Sequence, residues 1–186
     1  KLAVYARDVR ILRPGCGVPP AAVPRSVCTY FSWRSRQRLG FVSANTPVQF
    51  RSLLTVTYPR EFPSTGQSVK KHIHALLAAL GRNVGDAVML SYLWFLEWQR
   101  RGAPHVHFLL GPHRSSLPPA DWFSRTWYRI VGSNDPAHLL AGTRIETVRC
   151  RDGAAHYAVK YAQKMAQKQV PAGFEDVGRF WAHSRD

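Results

Sequence analysis

Residues 87–111, "AVMLSYLWFLEWQRRGAPHVHFLLG", set two apolar runs on either side of "RRGAP", and no other feature constrains the fold of this chain as tightly. Each run has the length and the aromatic content of a β-strand. The glycine and proline between them mark a turn, so the runs are expected to pair antiparallel as a hairpin. The returning run carries two histidines on alternate positions.

Side chains along a strand face opposite ways in turn, so His105 and His107 share one face while Val106, Phe108 and Leu110 share the other. The apolar face is expected to pack on helices and the histidines to look out. With the turn centred near Gly102, position 97 lies across from 107 and position 99 across from 105. Glu97 is then expected to meet His107, with Gln99 flanking His105 as a weak further ligand. Two imidazoles and one carboxylate, with positions left for water or a phosphate oxygen, suit a catalytic Mg²⁺ or Mn²⁺. An H-x-H on a strand is by itself an ordinary surface feature, and Glu97 is what gives it weight. A closed zinc site is disfavoured because no cysteine lies nearby in sequence; Cys150 reaches it only if the fold brings it there.

The rest of the chain alternates strand and helix signals. Six prolines and glycines between Pro14 and Pro24 make residues 1–28 an irregular arm, after a short strand at 2–6, and residues 29–186 the domain proper. Ser32 caps a basic helix over about 33–44, with Arg34 and Arg38 one turn apart. "VQFRSLLTVTYP" reads as a strand over 48–58, and "SVKKHIHALLAALGR" as a helix opened by Ser68 and stopped at Gly81. His72 and His74 point apart on that helix and make poor ligands for one metal. A helix over 116–132, a strand over 142–149 and an Ala-rich helix over 152–168 follow. This order predicts an α+β fold, an antiparallel sheet with packed helices of the ferredoxin-like kind.

Charge narrows the partner. The chain has 26 Lys and Arg against 11 Asp and Glu, a formal net charge of +15, with basic residues interleaved among Trp and Tyr. That combination suits a groove in which phosphates are neutralised and bases stack on rings; a merely solvated basic surface is the bland alternative. Three cysteines without a CxxC pair point to a reducing cytoplasm. No run is long enough to span a bilayer, no signal-peptide pattern opens the chain, and no GxxxxGK[ST] loop encodes an NTP-driven motor. With Lys at position 1, a processed chain or an excised fragment is expected.

"HYAVKYAQKMAQK" repeats Tyr-x-x-Lys at Tyr157/Lys160 and Tyr161/Lys164. The i, i+4 spacing puts both phenols on one helical face, where each could reach the same phosphate in turn. A neighbouring ammonium favours phenolate and offsets charge on a phosphorane, so the pairing suits nucleophilic tyrosine; two packing tyrosines are the plainer reading.

"LLTVTYP", "FLEWQRRGAPHVHFLL" and "YAVKYAQK", in that order, resemble the three motifs of rolling-circle replication initiators of the HUH endonuclease superfamily, over roughly residues 30–168. The doubled tyrosine resembles the two-nucleophile phage and plasmid type. The resemblance implies a five-stranded antiparallel sheet and a divalent-metal-dependent nick in single-stranded origin DNA, leaving a 5′-phosphotyrosine. It also implies Glu97, His105 and His107 as metal ligands, Tyr157 or Tyr161 as nucleophile, and Lys160 and Lys164 as their orienting charges. Arg100, Arg101, Gln99 and Lys168 are expected to contact the DNA, and a host helicase to separate strands. A related transposase or relaxase-like strand transferase, or a noncatalytic single-strand-binding module, are the alternatives.

Overall fold

A computed structural model describes residues 2–4, 9–11, 30–85, 89–148 and 169–184. The central hairpin consists of β4 (Tyr92–Trp98) and β5 (Pro104–Leu110). β3 (Ser52–Thr57) pairs with β5 on the side away from β4, and β6 (Thr143–Thr147) pairs with β3. β7 (Trp181–His183) pairs with β4 and completes a five-stranded, wholly antiparallel sheet of order β6-β3-β5-β4-β7. The α+β architecture expected from the element order is therefore the one observed. The fifth strand comes from the C-terminal end, where no strand was expected. In the arm, β1 (Leu2–Val4) and β2 (Val9–Ile11) form a separate two-stranded pair.

Four α-helices are described: α1 (Trp33–Asn45), α2 (Gly66–Val84), α3 (Ala120–Ile130) and α4 (Pro136–Ala141). Ser32 caps α1 as expected, its hydroxyl accepting from the Ser35 amide at 3.2 Å. The expected ends of α2 need correction. Thr65, not Ser68, caps it, Gly81 lies inside it, and Gly85 at φ 66° ends it. Asp176 adds a second cap, its carboxylate accepting from the Gly66 amide at 2.7 Å and the Gln67 amide at 3.2 Å. Val69, Ile73, Leu76 and Leu80 form the buried stripe of α2, at the spacing that brings one helical face to the core.

The two sheet faces are built differently. Trp94, Leu96, Val106, Phe108, Leu54 and Val56 share one face, the one over which α2 lies, with the Lys70 ammonium 4.1 Å from the centre of the Trp94 ring. α3 is tied to the end of β3 by Trp127, whose indole N–H donates to the Thr57 carbonyl at 2.6 Å. The opposite face carries the histidines, and α1 is fastened at its β7 edge: Phe31 stacks on Phe180 at 4.8 Å, and the Trp181 indole donates to Ser35 Oγ at 3.1 Å.

Candidate metal and phosphate centre

The site is built on a hairpin whose register differs from the expected one by two residues. Glu97 pairs with His105, Phe95 with His107, and Gln99 lies opposite Ala103. The reason is the turn. Gly102 adopts φ 78°, and its amide donates to the Gln99 carbonyl at 2.9 Å, so it is the last, left-handed residue of a three-residue loop and not the loop's centre. Moving the centre by one residue moves the pairing by two, which preserves sidedness. Glu97, His105 and His107 thus still share a face, but Gln99 falls one pair beyond His105.

Successive cross-strand rows define the centre. One row runs Arg144, Thr55, His107, Phe95, Trp181 across all five strands; the next runs Thr57, His105, Glu97. Across the diagonal between them, His107 Nε2 lies 3.3 Å from Glu97 Oε2. The His105 and His107 rings stand nearly perpendicular with centroids 4.5 Å apart, and Phe95 stacks on His107 at 4.9 Å. Thr55 Oγ1 lies 3.0 Å from His107 Nδ1, so the outer ring nitrogen is already engaged and Nε2 is the atom turned toward Glu97. The histidines do not both look out: His107 is 3% exposed and Glu97 6%, while His105 is half-buried.

The donor set has the composition of a hard-metal site, and the buried Glu97 carboxylate beside an imidazole is the pairing a divalent cation would bridge. Among the described residues, no group of three or more His, Cys, Asp or Glu donors is already arranged around one point to hold a metal ion. Binding would require small side-chain adjustments of the three.

The basic residues at the turn have unlike surroundings. Arg100 is exposed. Arg101 donates to the carbonyls of Tyr58 at 2.6 Å and Pro59 at 2.7 Å and, through Nε, to Gln99 Oε1 at 2.9 Å, which clamps the hairpin tip to the loop after β3. Tyr157, Lys160, Tyr161, Lys164 and Lys168, and with them the expected helix over 152–168, lie outside the described residues, as does Cys150. Tyr58, the tyrosine that follows β3, is no substitute nucleophile. Its hydroxyl is buried against His72 at 3.1 Å, and burial pushes its pKa far above the ordinary phenol range. Thr55 was not singled out from sequence, although Thr55 and Thr57 at alternate positions of an otherwise apolar strand carried the signal.

The family model for the replication-associated protein ORF2 matches residues 51–166. A Xylella fastidiosa (strain 9a5c) protein named as a candidate replication protein is 30% identical over 180 residues, covering 89% of this chain and 55% of that protein. The chain therefore spans about half the length of that curated relative. No solved structure matches it. No described helix is long and apolar enough to cross a membrane.

Proposed function

The chain belongs to the ORF2 family of replication-associated proteins, and from that premise we propose that it is the nicking and joining domain of a rolling-circle replication initiator acting on single-stranded origin DNA. The observation that carries the reading is the row geometry. Two histidines and a glutamate stand within hydrogen-bonding or ring-contact distance on the two central strands, with Thr55 engaging the outer nitrogen of His107.

Glu97, His105 and His107 would hold a divalent cation, Mn²⁺ or Mg²⁺, which when bound offsets charge on the scissile phosphate. Thr55 keeps Nε2 of His107 directed at that position, and Phe95 prevents the ring from turning. Tyr157 or Tyr161 supplies the phenol oxygen. Its bond to phosphorus forms as the bond to the 3′-oxygen breaks; the phenol loses its proton and the departing 3′-oxygen gains one. Lys160 and Lys164 favour the phenolate and offset charge on the pentavalent phosphate. The second tyrosine can attack the regenerated junction, closing one strand while the next is held. Strand separation would fall to a host helicase or to another part of the whole protein.

The test is a denaturing gel of purified protein with single-stranded origin oligonucleotides, with and without manganese. A size-shifted band that resists boiling in SDS is expected with metal only. Tyr157→Phe combined with Tyr161→Phe should abolish the band while either change alone leaves some. A band retained by the double variant would refute the assignment of the nucleophiles. An absent band in the wild type under every condition would leave the single-strand-binding reading in its place.

A further inference from the structure

Trp33, in the first turn of α1, is 63% exposed, and Arg34, Gln37 and Arg38 are exposed with it. At 100° per residue these four positions fall within an arc of about 140°. Leu39 and Ser43 lie buried on the other side of the helix, so the arc is its outward surface. The helix, WRSRQRLGFVSAN, contains no acidic residue. An indole held in water beside two guanidinium groups has little packing value where it stands. Its chemistry matches an unpaired strand, whose bases stack on rings and whose phosphates pair with arginine.

The position of this surface relates it to the centre described above. Ser35 of α1 accepts from the indole of Trp181, and Trp181 stands in the same cross-strand row as Phe95 and His107. Two strand spacings, roughly 10 Å, separate Trp181 from His107. Tyr30, three residues before Trp33 and 59% exposed, bridges antiparallel to Gln169, the residue that directly follows the tyrosine-bearing segment in the chain. The start of α1 is thus tied to both flanks of the centre.

We propose that Trp33, Arg34 and Arg38 form a platform for the single-stranded DNA flanking the scissile phosphate, with Trp33 stacking on a base and the arginines contacting the backbone. The platform rests on the proposed function for its ligand, but it makes a separate prediction about binding.

The experiment measures anisotropy of a fluorescein-labelled single-stranded oligonucleotide of mixed sequence, and of its duplex, in EDTA across a salt series. Trp33→Ala should weaken single-strand binding by about tenfold, within the range for loss of one stacked base, and leave duplex binding unchanged. Trp33→Phe should keep most of the affinity. Arg34→Gln with Arg38→Gln should reduce the slope of log Kd against log salt by about 1.4, at about 0.7 per phosphate contact. Thermal melts accompany each variant. If Trp33→Ala melts early, Trp33→Leu against Trp33→Phe makes the comparison, since leucine fills space without stacking.

Wild-type affinity in Trp33→Ala, equal binding by the leucine and phenylalanine variants, or equal loss on duplex and single strand would each overturn the platform. The adduct gel separates this from the nuclease reading. Trp33-dependent binding without a covalent band sustains the platform and removes the nuclease; a wild-type band with Trp33-independent binding does the reverse.

Discussion

Thr55 illustrates how much of the centre depends on single side chains that carry no chemistry themselves. Its hydroxyl, 3.0 Å from His107 Nδ1, selects which ring nitrogen faces Glu97. Thr55→Val keeps the shape and removes the hydroxyl. Single-turnover nicking should fall by about tenfold or more, in line with losses when the outer partner of a ligating histidine is removed, while single-strand affinity stays level. Thr55→Ser should restore nicking, and unchanged nicking in Thr55→Val would deny the residue this role. His105→Ala and His107→Ala should likewise abolish cleavage but preserve binding, because phosphate contacts supply affinity independently of the metal. At this scale the shared face of His105, His107 and Glu97 was legible, since strand alternation is a local property. Their exact pairing was not. It depended on Gly102 taking the left-handed position at the end of the loop, which "RRGAP" alone does not specify.

Among the elements, α2 is the best example of a helix whose core was legible and whose ends were not. The spacing of Val69, Ile73, Leu76 and Leu80 follows from periodicity alone. Its start is determined by Asp176, 110 residues away in sequence, which holds the first two amides. Gly66 sits so close to this C-terminal turn that a Cβ there would overlap the backbone of Val177. Gly66→Ala should therefore destabilise the fold by about 1–3 kcal/mol, the range for overpacking. For a chain of this size that lowers Tm by roughly 2–4 °C per kcal/mol, readable by calorimetry. A melting point equal to wild type would show that the turn moves aside at no cost. β7 and α4 escaped notice for a related reason: three and six residues are too few for a period to emerge, and the sheet and neighbouring helices stabilise what propensity does not.

Over the whole molecule, the helix-side core contains one titratable cluster that couples stability to pH. Tyr58, His72 and Trp127 meet ring to ring beneath α2 and α3, with Tyr58 and Trp127 centroids 5.1 Å apart. Burial lowers the pKa of His72 below its ordinary 6.5. As pH falls through that value the unfolded chain gains a proton that the folded chain resists, so this contribution to stability is complete above 6.5 and is lost below it. Urea unfolding at pH 7.5 and 5.5 should show a lower midpoint at the acid pH, and His72→Asn should narrow the gap. An undiminished gap would assign the pH dependence to other groups. Composition, strand alternation and helical periodicity, all properties of neighbouring residues, determined the fold class, the basic character suited to nucleic acid and the common face of Glu97, His105 and His107. Only the tertiary structure decided the two-residue register, the burial of His107, the C-terminal origin of the fifth strand and the fastening of α1 beside the centre. Each of these depends on contacts between segments distant in the chain, whose relative energies no local pattern encodes.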